Sequence, residues 1–172
     1  VYNANARMFI GFLGHGMLVV DHGGVVNLNA QELGIGENTN GNGIVELRGG
    51  SLNLLSGSGL PLRFRAGQDS QASMDFSGGI MTQAYSEGRM NYVNQHIDDG
   101  TITAYGGVGT VVVEVIDDGD PAVADIMVVK GVHPLTPMPE DGANVIPGSV
   151  TLSWTLPDPC VPGQSVPVDV YF

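Results

Sequence analysis

Residues 43–54 read GIVELRGGSLNL. Val45 and Leu47 alternate with polar neighbours, a glycine pair interrupts at Gly49 and Gly50, and Leu52 and Leu54 resume the alternation. Period-two alternation places one face of a strand in a core and the other in water. The glycine pair then marks a sharp corner, where positive φ is open to glycine and closed to most other residues. The same phrase occurs as VVDHGGVVNLNA around Gly23 and Gly24, and as MDFSGGIMTQA around Gly78 and Gly79. A looser copy, HIDDGTITAY, sets Asp99 and Gly100 at the equivalent point. A recurrence every ~20–30 residues is too long for a hairpin and suits one winding of a repeat protein. Strand, corner and strand at that period predict an all-β chain, a short right-handed parallel β-helix (a β-solenoid) with like residues stacked at about 4.8 Å. The competing arrangement is an antiparallel sandwich whose hairpins contain glycine pairs.

The windings are unequal. ENTNGNG (37–43) reads as a polar loop bulging from one corner, and LPLRFRAGQ (60–68) as a strand with Leu60, Leu62 and Phe64 inward and Arg63 and Arg65 outward. The stretch from Tyr85 to Asn94 is irregular and is the one place for a helical turn. GTVVVEVIDDGD and ADIMVVKG then read as a closing hairpin around Asp118 and Gly119, a cap for an otherwise unpaired sheet edge. Residues 1–131 thus form one predicted domain. Pro134, Pro137, Pro139 and Pro147 stiffen a linker over 132–148. From 149 to 172, Val150, Leu152 and Trp154 alternate inward, followed by Val168, Val170 and Phe172. That pattern predicts the start of a partial immunoglobulin or fibronectin type III-like sandwich, incomplete because such a module needs roughly 90–100 residues. The chain opens at Val1 without an initiator methionine, which suggests a piece cut from something longer.

The formal charge is −12, with Lys130 the only lysine. Such a surface repels nucleic acid and anionic lipid, so neither is expected as a partner, nor is membrane insertion. Glycine is about twice its usual abundance, which favours turns and strands over helices. The single cysteine, Cys160, excludes an intrachain disulfide framework and a cysteine zinc cluster. These features suit an extracellular or cell-surface setting.

Three stretches together resemble a recurrent region of very large secreted or surface proteins of planctomycete-type environmental bacteria. They are LGIGENTNGNGIVELRGGSLNL, IDDGTITAYGGVGTVVVEV, and PLTPMPEDGANVIPGSVTLSWTLPDP leading to VDVYF. The resemblance covers nearly the whole chain. It implies solenoid segments preceding immunoglobulin-like modules, often beside carbohydrate-binding domains, and supplies no catalytic residues.

Several constellations carry candidate chemistry. Asn38, Asn40, Asn42 and Gly43 imitate the first half of a calcium loop, but Gly49 stands where its bidentate glutamate belongs, so an Asn-Gly turn is the better reading. Asp117, Asp118, Asp120 and Asp125 are candidate calcium ligands, the alternative being a solvated hairpin tip. Calcium is the one cofactor for which the sequence offers donors. Asp75 with Arg48, Arg63 and Arg65 on neighbouring windings suits an acidic sugar or, equally, a surface ion pair. Tyr85, Tyr92 and Tyr105, with Arg63 and Arg65, are candidate glycan contacts, the alternative being partly buried strand aromatics. His15, His22, His96 and His133 have no metal-ligand spacing, and His22 is expected to be exposed. No pair of acids is placed as glycoside hydrolysis requires.

The sequence therefore predicts a non-enzymatic extracellular structural or adhesive module whose partners are other copies of itself or neighbouring surface proteins. Head-to-tail assembly into a fibre or surface layer follows from that reading. The alternative is a carbohydrate-binding module, calcium-assisted or not, of a secreted polysaccharide-processing protein.

Overall fold

A computed structural model of the 172-residue chain describes residues 1–29, 32–55, 59–64, 69–117, 119 and 124–134. The expected linker beyond Pro134 and the sandwich start at 149–172 lie outside the described residues. The rest is mainly β, with strands β1 Tyr2–Ala4, β2 Met8–Ile10, β3 His15–Asp21, β4 Val25–Leu28, β5 Leu33–Ile35 and β6 Asn42–Arg48 in its first half. They are followed by β7 Ser51–Leu54, β8 Leu62–Phe64, β9 Gln71–Phe76 and β10 Ile80–Ala84. A helix, α1 Glu87–Asp98, precedes β11 Ile102–Ala104, a 3-10 turn at Tyr105–Gly107, β12 Thr110–Ile116 and β13 Ile126–Val132.

The described strands form three sheets, ordered β1-β4-β7-β10-β13-β12, β2-β5-β8 and β11-β9-β6-β3. The chain visits the first, second and third sheets in strict rotation from β1 to β9, and each strand pairs in parallel with its counterpart one circuit earlier. Register is in step throughout, so like stacks on like. Val20, Leu47 and Phe76 form one inward column, and Val45 lies over Met74, which lies over Ile102. Val26, Leu52, Met81 and Val129 form another, and Leu33 lies over Leu62. Most of these side chains are completely buried, each contributing about 1.5–3 kcal/mol relative to exposure. The hydrophobic pattern thus explains the rotation: each short strand covers only a strip of core, and stacking makes the strips continuous.

The two glycines of each pair have different reasons. Gly49 has φ +93°, and a β-carbon there would find no atom closer than 3.8 Å, so its role is conformational. Gly50 has ordinary φ, but a β-carbon there would lie 2.5 Å from Val20 Cγ1 and 2.7 Å from the Gly24 carbonyl oxygen. Gly23 and Gly78 repeat the first role at φ +77° and +102°, whereas Gly24 and Gly79 repeat the second. All three pairs join the third sheet to the first.

The fourth corner is a correction. Asp99 and Gly100 do not occupy the glycine-pair position: Asp99 caps the C-terminus of α1 at φ −85°, and Gly100, at φ +77°, ends the helix before the third-sheet strand β11. The corner after β11 is Gly106 and Gly107, at φ +65° and +90°, leading to β12. The Tyr85–Asn94 region is likewise more regular than its composition suggests. Ser86 caps the helix with its hydroxyl, accepting the Arg89 amide at 3.3 Å. Met90, Val93 and Ile97, three and four residues apart, supply its packed face.

The helix takes the place of a fourth second-sheet strand. The Tyr92 hydroxyl accepts the Phe64 backbone N–H at 2.8 Å, satisfying a donor of edge strand β8. Arg89 is buried on the same helix, with Nε 3.0 Å from the Gly59 carbonyl oxygen and Nη1 2.8 Å from that of Ala84. In the first sheet, β13 runs antiparallel to β10, and β12 antiparallel to β13. The expected hairpin is present, but its second strand inserts beside β10 and leaves its first strand outermost.

One core position breaks the pattern. Gln83 continues the inward column Ala4, Leu28 and Leu54, is 3% exposed, and its Oε1 has no hydrogen-bond partner among the described residues. An unsatisfied buried acceptor costs about 1–3 kcal/mol. Gln83→Leu is therefore expected to raise the unfolding free energy by roughly 1–2 kcal/mol, readable as a higher urea midpoint at unchanged slope; a lower midpoint would contradict this placement.

Candidate functional site

Outward side chains also stack in columns, and one of these is a hydrogen-bonded ladder. Asn27 Nδ2 donates to Asn3 Oδ1 at 2.7 Å, Asn53 Nδ2 to Asn27 Oδ1 at 2.7 Å, and the Thr82 hydroxyl to Asn53 Oδ1 at 2.7 Å. Asp75, which the sequence places beside arginines, instead accepts from the Ser77 hydroxyl at 2.5 Å, the Thr103 hydroxyl at 2.9 Å and the Gly106 amide at 2.8 Å. Arg48 pairs with Glu46 on its own strand. Arg63 pairs with the largely buried Glu32 at 3.0 Å. The structure thus disperses the arginines of the proposed acidic-sugar face, as far as they are described; Arg65 lies outside the described residues.

The three tyrosines occupy three different settings. Tyr85 packs against the core and donates its backbone N–H to the Asp125 carbonyl at 2.6 Å. Tyr92 lies against Phe64 with ring centroids 6.5 Å apart, and Tyr105 meets His133 edge-on at 4.6 Å. All three are half-buried.

Of the four candidate calcium ligands, Asp118 and Asp120 lie outside the described residues. Asp117 accepts the Gly119 amide at 2.7 Å, closing a local turn. Among the described residues no three His, Cys, Asp or Glu side chains are grouped to hold a metal. Asn38 and Asn40 adopt φ +69° and +62°, as the Asn-Gly turn requires. His22 is exposed, as expected, with Nδ1 2.6 Å from Asp21 Oδ1.

A concave feature among the described residues lies elsewhere. An open groove of about 540 Å³ runs where the third sheet meets the end of α1. Register brings Asn42 beside Gln71, and Ile44 beside Ser73, on the outer face of β6 and β9. Thr101 stands beside Ser73 and donates its amide to Asp99, while Phe64, at the end of β8, and His96, in the last turn of α1, complete the lining. The His96 ring is packed by Phe64 at 4.6 Å and by Tyr92 at 4.5 Å, leaving its side chain 14% exposed. Its Nδ1 lies 3.1 Å from Asp99 Oδ2. With the proton on Nδ1, that bond fixes the ring orientation and leaves Nε2 as an acceptor.

Asp99 is set by its neighbours. Hydrogen bonding from the Thr101 side chain is the largest influence on its carboxyl and, with the Thr101 amide and the His96 ring, outweighs the opposing effect of burial, holding it below the usual aspartate value of 3.8. A depressed folded pKa means that this group's contribution is present above the unfolded value and is lost as pH falls through the folded one. The Asp99 carboxyl is thus expected to titrate below pH 3.8 in a carbon-13 NMR titration; a midpoint above the ordinary value would contradict the Thr101 contact.

The sequence did not single out Asn42, Phe64, Gln71, Ser73, His96 and Thr101 together, since they come from separate segments that only the stacking unites. Compared with protein-family models, curated proteins and solved structures, the chain matches none.

Proposed function

We propose that the described part of the chain is a short right-handed parallel β-solenoid acting as an extracellular structural or adhesive module without catalytic activity. The sheet rotation and in-step register support the solenoid reading, and right-handed crossovers are the rule for parallel strands. The proposed immunoglobulin-like start at 149–172 rests on its alternation alone.

The observation that carries the functional reading is the set of edge strands formed by the first circuit, β1, β2 and β3. At one end of the stack α1 covers β8, and β13 occupies the edge of β10. At the other, β1, β2 and β3 are edge strands of all three sheets. Exposed apolar side chains lie on and beside these strands, namely Tyr2, Phe12, Leu13, Met17 and Val19, and a second set, Val108, Val115, Ile116 and Ile126, lies around β12 and β13. The asparagine ladder ends on β1, at Asn3. Unpaired edges flanked by exposed apolar residues are templates for added strands. In this reading the β1–β3 edges accept added strands, from another copy or a neighbouring surface protein.

Light scattering of the purified chain across concentration tests this. Association that is lost in Met17→Lys and Val19→Lys is the expected result. A strict monomer at high concentration, or association indifferent to both changes, would refute the reading.

A further inference from the structure

The groove beside α1 differs from the asparagine ladder, Asp75 and Glu114 in what its polar groups do. Elsewhere the amides of Asn3, Asn27 and Asn53 bond one another, Asp75 holds three donors, and Glu114 pairs with Lys130 at 2.9 Å. Along the groove, the Asn42, Gln71 and Ser73 side chains make no hydrogen bond within the described residues. They converge on a concavity that also carries the Phe64 ring and an oriented imidazole. Uncommitted amide and hydroxyl groups facing an aromatic wall are the usual furniture of a ligand pocket, and ~300–1,000 Å³ is the usual volume of one.

The lining chemistry narrows the ligand. Among the described residues no lysine or arginine lines the groove, Asp99 adds a negative charge, and the chain as a whole carries −12. Phosphate-, sulfate- and carboxylate-bearing ligands are therefore disfavoured. A purely apolar ligand would strand Asn42, Gln71 and Ser73 without water or partner. What satisfies both kinds of lining is a flat molecule with hydroxyls around its rim and a C–H face to lay on a ring. We propose that this groove binds a short segment of a neutral polysaccharide. The partly exposed Phe64 ring, with the His96 ring packed on it, supplies the apolar wall, Asn42, Gln71 and Ser73 bond ring hydroxyls, and His96, held by Asp99, presents Nε2 as an acceptor. This site shares no residue with the β1–β3 end, so it stands or falls independently of association there.

The test is affinity electrophoresis of the full chain through gels containing xyloglucan, galactomannan or mixed-linkage β-glucan, with alginate and polygalacturonate as anionic comparisons. Retardation by at least one neutral polymer is expected, unchanged by a calcium chelator. Gln71→Ala and Ser73→Ala, both at exposed positions, are expected to keep the thermal midpoint and weaken binding, the double variant by about tenfold or more. Amide chemical-shift changes on adding an oligosaccharide of the bound polymer provide a second readout in the unaltered chain, expected at Asn42, Gln71, Ser73 and His96. Retardation by anionic polymers alone, by none, or with shift changes confined to another face would overturn the proposal.

Discussion

Gly50→Ala is expected to destabilise the fold by about 3 kcal/mol or more, while Gly49→Ala, one residue away, costs only about 1–2 kcal/mol. The two glycines look equivalent in sequence. In the structure a β-carbon on Gly49 meets open space and suffers only from φ +93°. A β-carbon on Gly50 is driven to 2.7 Å from the Gly24 carbonyl and 3.0 Å from the Val20 backbone carbon, neither of which a rotamer change can move. Relief requires separating two circuits of the chain, which loosens the paired strands on both sides. Urea denaturation of the two variants checks the contrast. Equal losses would mean that the paired glycines serve the turn alone and that the circuits are not stacked as described.

Phe76→Ala is the second large effect, an expected loss of about 3–5 kcal/mol. Phe76 is fully buried and continues the inward column that begins with Val20 and Leu47. It also meets the last circuit: its register partner is Ala104, and its carbonyl oxygen and Cβ lie against Gly131 of β13. Its removal opens a cavity where the parallel stack meets the antiparallel β10–β13–β12 segment, so the surroundings have little freedom to collapse. Phe64→Ala makes the comparison, since Phe64 is half-buried at a sheet edge. A smaller loss for Phe76→Ala than for Phe64→Ala would place the core elsewhere.

Much of this architecture is legible in the sequence because the repeated phrase couples two independent signals. Alternation in GIVELRGGSLNL marks the faces, and the glycine pair marks the corner. Both recur where the third sheet hands over to the first, which is why the Gly23, Gly49 and Gly78 corners agree with the structure. The fourth fails for a physical reason. Asp-Gly before an apolar alternation describes a helix ending in a left-handed glycine as well as it describes a corner, and here Gly100 serves the helix. The helix itself is obscured by Gly88, Asn91 and Asn94, all weak helix formers, although Ser86 and the Met90, Val93 and Ile97 spacing carry its signature.

The groove is not legible, and no local pattern would show it. Asn42 and Gln71 are neighbours only because β6 and β9 pair in parallel register. His96 reaches the same place only because α1 stands where a strand would otherwise lie. Acidic and aromatic residues that attract attention in sequence, such as Asp75 and Tyr92, are engaged internally. The less conspicuous amides and hydroxyls are the ones left facing solvent around a concavity.

The central claim is parallel stacking of successive circuits, and cross-strand nuclear Overhauser effects in solution test it most directly. The structure predicts backbone contacts between Asn3 and Asn27, Asn27 and Asn53, and Asn53 and Thr82, at separations of 24, 26 and 29 residues. Short-range antiparallel contacts across the glycine pairs, linking Leu47 to Leu52 as a hairpin would, together with absence of the asparagine series, would contradict it.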